Sequence, residues 1–472
     1  MKTVCLIIYL FIPTFLFSQD VVTQLSASIK KMESDEQFKH AIISMYVVDA
    51  KTGKVVFDKN GATGLAPASC QKIVTSVTAF DLLGPDFCFK TYITYDHAVK
   101  GGTLESNLYV VGQGDPTLGS ARWNNTSEEA ILKKITAILQ QHNIKSVTGN
   151  LVADDQYFTF DAVPNGWVWE DIGNYYGAGV WGINWRENQF DITFKTGAFE
   201  NDATTIVATK PTIILNDYSF INLVKTGTRE SGDNAWLYSA PFSKNIIAKG
   251  TVPMLAEGFT ISGSLPNPPK LFLETVKDYL NDKDIPVLGS IFSFSEQRMS
   301  NKTAVILQGT LLDSIQSPSL DSINYWFLKK SVNLFGEALV KTIAAKKSAN
   351  GTTESGVNVI KDLWSKRGIE KSALHIIDGS GLSPGNRVTT GSLVTILQYA
   401  QKQKWYASFY NALPLTNGIK MKDGYISGVR SYAGYVKSGG GTEYVFSFIV
   451  NNFDGSPSTA REKIWKLLDV LK

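Results

Sequence analysis

The chain has only three cysteines and four histidines in 472 residues. His40, His97, His142 and His375 are scattered, with no pair at ligand spacing, so neither a metal centre nor any other cofactor is expected. No sign of charge dominates: 46 Lys and Arg face 43 Asp and Glu, a net charge of +3. That excess is too small to point to nucleic acid. Long apolar runs are absent beyond the N-terminus. There, Lys2 precedes an apolar stretch from Val4 to Phe17 that is shorter than the roughly 20 residues of a membrane span and is interrupted by Pro13. It reads as a signal peptide over residues 1–19, cut near Ser18 or Gln19, and predicts a periplasmic or secreted protein. Export leaves Cys70 and Cys88. A helix of about 13 residues, about 20 Å long, is predicted between them, whereas bridged Cα atoms lie about 5.5–6 Å apart. Two free thiols are expected.

What is present is the composition of a folded protein, 43% hydrophobic and 19% charged, in a chain too long for one core. Residues 39–58 predict a hairpin turning at Lys51-Thr52-Gly53. SCQKIVTSVTAFDLL has helical spacing and stops at Gly84-Pro85. Strand-like segments follow to about residue 265, among them CFKTYITYD, NLYVVG, GNLVADD, TTIVAT, PTIILN and SFINLV. LFLETVKDYLNDK is helical, and SINYWFLKKSVNLFGEALVKTIAAK reads as a long helical region broken near Ser331. GVRSYAGYVK and EYVFSFIVNN form a hairpin, and a last helix closes the chain. The pattern predicts an α+β fold in which both ends of the chain build one domain (20–95 and 270–472) around a β-rich insertion (96–269).

Ser69 and Lys72 stand three residues apart, on one helix face. A serine needs a base to become a nucleophile, and a lysine held neutral by burial or a second cation can be that base. The pair alone is also what a helix N-cap serine would look like, and Ser28 and Lys31 repeat the spacing. In serine acyltransferases of the penicillin-binding kind, such a pair is accompanied by a Ser-x-Asn element and a Lys-Thr-Gly element. Ser-x-Asn occurs at Ser243, Ser322, Ser331 and Ser348. Only Ser331-Val332-Asn333 is followed by an apolar helix able to seat it. For the third element, Lys51-Thr52-Gly53, Lys225-Thr226-Gly227 and Lys437-Ser438-Gly439 compete with Lys422-Asp423-Gly424, which opens a strand-like stretch.

The stretches PASCQKIVTSVTAFDLLGPDF, NLYVVGQGDPTLG, GNLVADDQYF, GWVWEDIGNYYGAG, LKKSVNLFGEALVK, IIDGSGLSPGNRVT and GVRSYAGYV followed by FSFIVNNFDG, in this order, resemble the D-alanyl-D-alanine carboxypeptidase/endopeptidase group of class C, low-molecular-mass penicillin-binding proteins. The resemblance covers nearly the whole mature chain. It implies a transpeptidase/β-lactamase-like domain, an antiparallel sheet with flanking helices. It implies Ser69 as nucleophile, Lys72 as its base, Ser331 and Asn333 as the second element, and Lys422 as the third. Gly424 and Tyr425 would face substrate, with the Ser69 and Tyr425 amides as oxyanion hole. Asp154 or Asp155 would face the stem peptide, or else form a solvated turn. The implied partners are peptidoglycan stem peptides and β-lactams as covalent inhibitors, with peripheral membrane association compatible and no cofactor.

One residue departs from the group. A hydroxyl usually follows the third-element lysine and donates to the substrate's terminal carboxylate; here Asp423 only accepts. Two like charges at about 4 Å cost roughly 4 kcal/mol at an effective dielectric near 20, about a thousandfold in rate. Asp423 therefore favours cleavage of internal cross-links over release of terminal D-alanine, or a wall-binding homologue with weak chemistry. A nucleophile elbow at Gly381-Leu382-Ser383-Pro384-Gly385 is excluded because Pro384 lacks the N–H that such an oxyanion hole uses; the segment reads as a structural loop.

Overall fold

The computed structural model describes residues 15–472 except 98, 213, 256, 301–308 and 349, and leaves out the side chains of 15–19 and 216. Residues 1–14 of the expected signal peptide lie outside the described residues; its last five begin the helix Phe15–Glu33. No helix among the described residues is long and apolar enough to cross a membrane.

Both ends of the chain meet in one antiparallel sheet, in the order Leu415–Thr416, Ile419–Ile426, Val429–Lys437, Glu443–Asn451, Ile42–Asp49, Val55–Lys59. Its strands are apolar on both faces because both faces are covered. Val445 and Ile449 point towards a helical layer that contains Gln71–Leu83, Leu320–Lys329, Asn333–Lys347 and Thr390–Gln401. The alternate residues Phe446, Phe448 and Val450 meet Leu25 and Ile29 of the first helix and Ile464 of the last. Ile42 to Asp49 pairs along its length with Asn451 to Tyr444, so the two chain ends are zipped together. The predicted hairpins, the helix ending at Gly84 (φ 84°) and the break between Lys329 and Asn333 are all present. Cys70 and Cys88 are free.

The insertion has its own core and is less purely β than its alternation suggests. A five-stranded mixed sheet runs Ile291–Ser293, Leu151–Asp154, Leu108–Gly112, Lys90–Tyr95, Thr310–Gln316. Helices Glu128–Gln141 and Pro268–Asp282 pack on it through Ile131, Ile135, Phe272 and Val276. The expected seams at 95/96 and 269/270 fall inside this unit. Lys90–Tyr95 pairs with Thr310–Gln316, and the 268–282 helix buries its apolar stripe here, so packing draws the insertion from about residue 90 to 316. PTIILN is not a strand; Ile214–Asp217 is a helical turn. Three three-stranded sheets complete the insertion: Thr205–Lys210, Gln189–Lys195, Phe259–Ser264; Ser219–Gly227, Asn245–Pro253, Asn234–Tyr238; and the short Val99–Lys100, Thr103–Leu104, Ser146–Val147.

Candidate active site

Pro67 turns the chain into a 3-10 segment, Ala68–Cys70, that runs into helix Gln71–Leu83. Ala68 takes φ 44°, a left-handed conformation that costs a non-glycine residue of order 1 kcal/mol and clusters at functional sites. The helix receives no side-chain cap, so Ser69 is not the N-cap that its composition would suggest. Its hydroxyl faces Lys72 instead, 2.9 Å from Nζ. Lys72 is fully buried. Its other two contacts are Asn333 Oδ1 at 2.6 Å and the Ser380 carbonyl at 2.7 Å. Burial, seconded by the Lys422 cation, brings the Lys72 pKa down to about 7, while Asp378, Glu337 and Asp423 hold it from falling further.

Ser331 occupies the break between two helices with φ 56°. That kink turns the chain so that Ser331, Val332 and Asn333 all line one cleft with Ser69, a cavity of about 810 Å³. Asn333 is held from both ends: Oδ1 accepts from Lys72, and Nδ2 donates to the Tyr176 carbonyl at 2.7 Å.

Lys422 lies on the strand Ile419–Ile426 and, like Asp423 and Gly424, is not among the residues lining the cleft; the strand's close approach to Ser69 is set by Gly424. A Cβ there would lie 2.7 Å from Pro67 O and 2.8 Å from Ser69 N. Only glycine permits that approach. Tyr425 follows, half exposed in the cleft wall, with the Arg430 guanidinium 4.4 Å from its ring centroid. Lys422 is buried, and its Nζ is bound to its own neighbour: Asp423 O at 2.6 Å and Asp423 Oδ1 at 3.1 Å. The Lys422 cation holds the Asp423 carboxyl below the ordinary Asp range, with a smaller contribution from Arg430. Asp423 is thus paired with the adjacent lysine, and Arg430 lies over Tyr425.

Asp154 and Asp155 are not among the residues lining the cleft. Asp155 is buried against the backbone N–H of Ser295 at 3.1 Å, and burial raises its pKa to about 6. Asp154 accepts from the Gln156 amide, the turn arrangement.

The segment read as a structural loop is part of the site. Ser380 presents its carbonyl to Lys72, while its N–H and that of Gly379 are gathered by the buried Glu337 carboxylate at 2.8 and 3.1 Å. Asp378 accepts from the Gly381 and Ser383 amides and from Trp167 Nε1. An acid inside the apolar NLFGEALVK helix was a visible signal for Glu337; a carbonyl role such as that of Ser380 leaves none. The cleft wall also gains Glu170, Asp171, Tyr175 and Tyr176 from the aromatic stretch after Trp167. Burial raises the Asp171 pKa to about 6, opposed by a hydrogen bond from Tyr176.

The profile of the D-Ala-D-Ala carboxypeptidase 3 (S13) family matches residues 25–471. A D-alanyl-D-alanine carboxypeptidase of Actinomadura sp. (strain R39) is 27% identical over 93% of this chain and 82% of its own. The D-alanyl-D-alanine carboxypeptidase DacB of Haemophilus influenzae is 22% identical over 87% of this chain and 85% of its own. The crystal structure of penicillin binding protein 4 (dacB) from Haemophilus influenzae shares the fold, with a TM-score of 0.79 and 20% identity over 94% of this chain and 97% of that one.

Proposed function

The chain belongs to the D-Ala-D-Ala carboxypeptidase 3 (S13) family, and from that premise we propose that it is an exported serine-type DD-peptidase that cuts peptidoglycan stem peptides through an acyl-enzyme on Ser69. The arrangement around Lys72 carries this reading. A neutral amine has two N–H groups and one lone pair. Asn333 Oδ1 and Ser380 O take the two hydrogens, which leaves the lone pair for the Ser69 hydroxyl. A pKa near 7 makes the neutral form abundant at working pH, the condition for an efficient general base.

In the proposed reaction, Lys72 takes the Ser69 proton as Oγ bonds to the D-Ala carbonyl carbon. The Ser69 and Tyr425 amides receive the oxyanion. The C–N bond breaks as the leaving amine takes a proton through Ser331, and water then hydrolyses the ester. Glu170 and Asp171 make the cleft wall acidic, which suits an ammonium group on the stem peptide. Lys422 supplies positive potential at the far end, reduced by Asp423. That reduction favours cross-link cleavage over release of terminal D-alanine. It also motivates the second reading, a wall-binding protein with slow chemistry.

Fluorescent penicillin should label the purified protein covalently, and Ser69→Ala should abolish the label. No labelling of the wild type at high concentration supports the second reading. For the bond preference, Asp423→Ser should raise D-alanine release about a hundredfold or more, while cleavage of cross-linked dimers changes little. Efficient wild-type release, unchanged by the substitution, would remove Asp423 from the account.

A further inference from the structure

The sheet formed by Ser219–Gly227, Asn245–Pro253 and Asn234–Tyr238 buries one face on the insertion core through Val224, Ile246, Ala248 and Leu237. Its other face is open to solvent, where polar residues are the rule. Two cross-strand rows break that rule. Residues opposite one another share a face. Leu223, Lys249 and Trp236 form one row, and Ile221, Ile247 and Tyr238 the next. Leu223 is 52% exposed and Ile221 47%. The flanking rows are polar: Lys225, Thr251 and Asn234 beyond one side, Ser219 and Asn245 beyond the other. Exposed Trp169 extends the patch by packing against Tyr238, ring centroids 6.1 Å apart. An exposed apolar patch with a polar rim marks a binding surface.

The patch runs into the candidate active site. Trp236 belongs both to the ledge and to the lining of the cleft that holds Ser69. We propose that this face is a glycan-binding ledge, on which the sugar strand lies while the stem peptide it carries enters the cleft. The proposal rests on the stem-peptide reading of that cleft. A stem peptide is covalently joined to its sugar, so a surface continuous with the peptide site is where the sugar arrives. Pyranose rings present flat C–H faces that pack on indole and phenol rings. Lys249 within the row, and Asn234 and Asn245 at the margin, offer donors to hydroxyl and acetamide oxygens.

The test uses Ser69→Ala protein and peptide-free glycan strands, so that binding is measured without chemistry. The strands should bind, and Ile221→Asn/Leu223→Asn and, separately, Tyr238→Ala should each weaken binding about tenfold. In the Ser69 background, penicillin labelling and hydrolysis of a sugar-free peptide should be unchanged by Ile221→Asn/Leu223→Asn, while KM on polymeric peptidoglycan rises about tenfold. Circular dichroism checks that each variant folds. No binding of stripped glycan to the parent, or binding by both variants as tight as the parent's, overturns the ledge. So does a change in oligomeric state on substitution with glycan affinity unaltered, which would assign the face to a second copy. Loss of penicillin labelling in otherwise wild-type protein would instead overturn the catalytic reading and leave the glycan measurement standing.

Discussion

Lys72 accepts a proton only when neutral, so the fraction of neutral Lys72 should set the acid limb of the pH–rate profile. Its pKa is lowered to about 7. Activity should therefore fall as pH drops through about 7, in kcat/KM measured on a small peptide. The charges nearby give the sign of further shifts. Lys422 lowers the Lys72 pKa and Asp423 raises it. Lys422→Met removes a cation, so the limb moves to higher pH, with at least about a tenfold loss at pH 7. Asp423→Ser removes an anion, so the limb moves to lower pH. A limb that ignores both substitutions would mean that another group titrates. Glu337 acts one step further back. It touches no substrate; it holds the Gly379 and Ser380 amides so that the Ser380 carbonyl meets Lys72. Glu337→Gln keeps the shape but substitutes an amide donor for one acceptor. About a tenfold to hundredfold loss in kcat is expected. Burial, seconded by the Asp378 charge, raises the Glu337 pKa to about 8, so near pH 7 it is largely protonated and the limb should stay near pH 7 while kcat falls with KM unchanged; a purely structural role would lower the melting temperature and leave kcat in place.

Two elements meet at Gly424, the strand Ile419–Ile426 and the turn that carries Ser69. Gly424→Ala would place a methyl against Ser69 N and Pro67 O, both backbone atoms that cannot swing aside. The strand must retreat by a fraction of an ångström to an ångström. Misplacement on that scale costs about a hundredfold, so the acylation rate by penicillin should fall by that factor while circular dichroism is unchanged. This contact was not legible: four lysine-x-glycine candidates competed, and only the resemblance singled out Lys422-Asp423-Gly424; the Ser69 helix and the Ser331 break were legible from periodicity and turn residues. Local pattern also revealed the terminal hairpin, because its apolar runs are bounded by Gly-rich turns. The seams of the insertion were not legible. Lys90–Tyr95 and Thr310–Gln316 are partners across more than two hundred residues, and nothing in either segment states which sheet it joins. The Ser380 carbonyl was hidden for a similar reason: a backbone oxygen has no sequence signature, and Gly379 to Gly385 looks like any turn-rich loop.

At the scale of the whole molecule, two cores are stitched together, in part through one stretch of the insertion and in part through Trp123, whose Nε1 donates to Ser322 Oγ at 2.7 Å. Lys341 on the helix Asn333–Lys347 donates to the Asp161 carbonyl. Trp167 Nε1 donates to Asp378 at 2.9 Å, Ser383 Oγ donates to the Gly166 carbonyl at 2.8 Å, and Asn333 Nδ2 reaches the Tyr176 carbonyl. Three of the four bonds in that stretch, all but that of Lys341, end on a residue of the cleft or of the loop that supports Lys72. The insertion is therefore a wall of the site as well as an appendage to it. Trp167→Phe keeps an aromatic ring but deletes the donor, leaving the buried Asp378 with three of its four hydrogen bonds, from Gly381, Ser383 and Asn386. Such a loss costs about 1–3 kcal/mol, enough to lower the melting temperature by several degrees in a domain of this size. Where two cores depend on few stitches, weakening one uncouples them before either melts. Calorimetry should show one transition in the wild type and two in Trp167→Phe/Ser383→Ala. Penicillin acylation should slow in that variant before the first transition is reached, because Asp378 and Ser380 share one loop with the carbonyl that orients Lys72. A single transition with unchanged acylation would mean that the two cores are held together elsewhere.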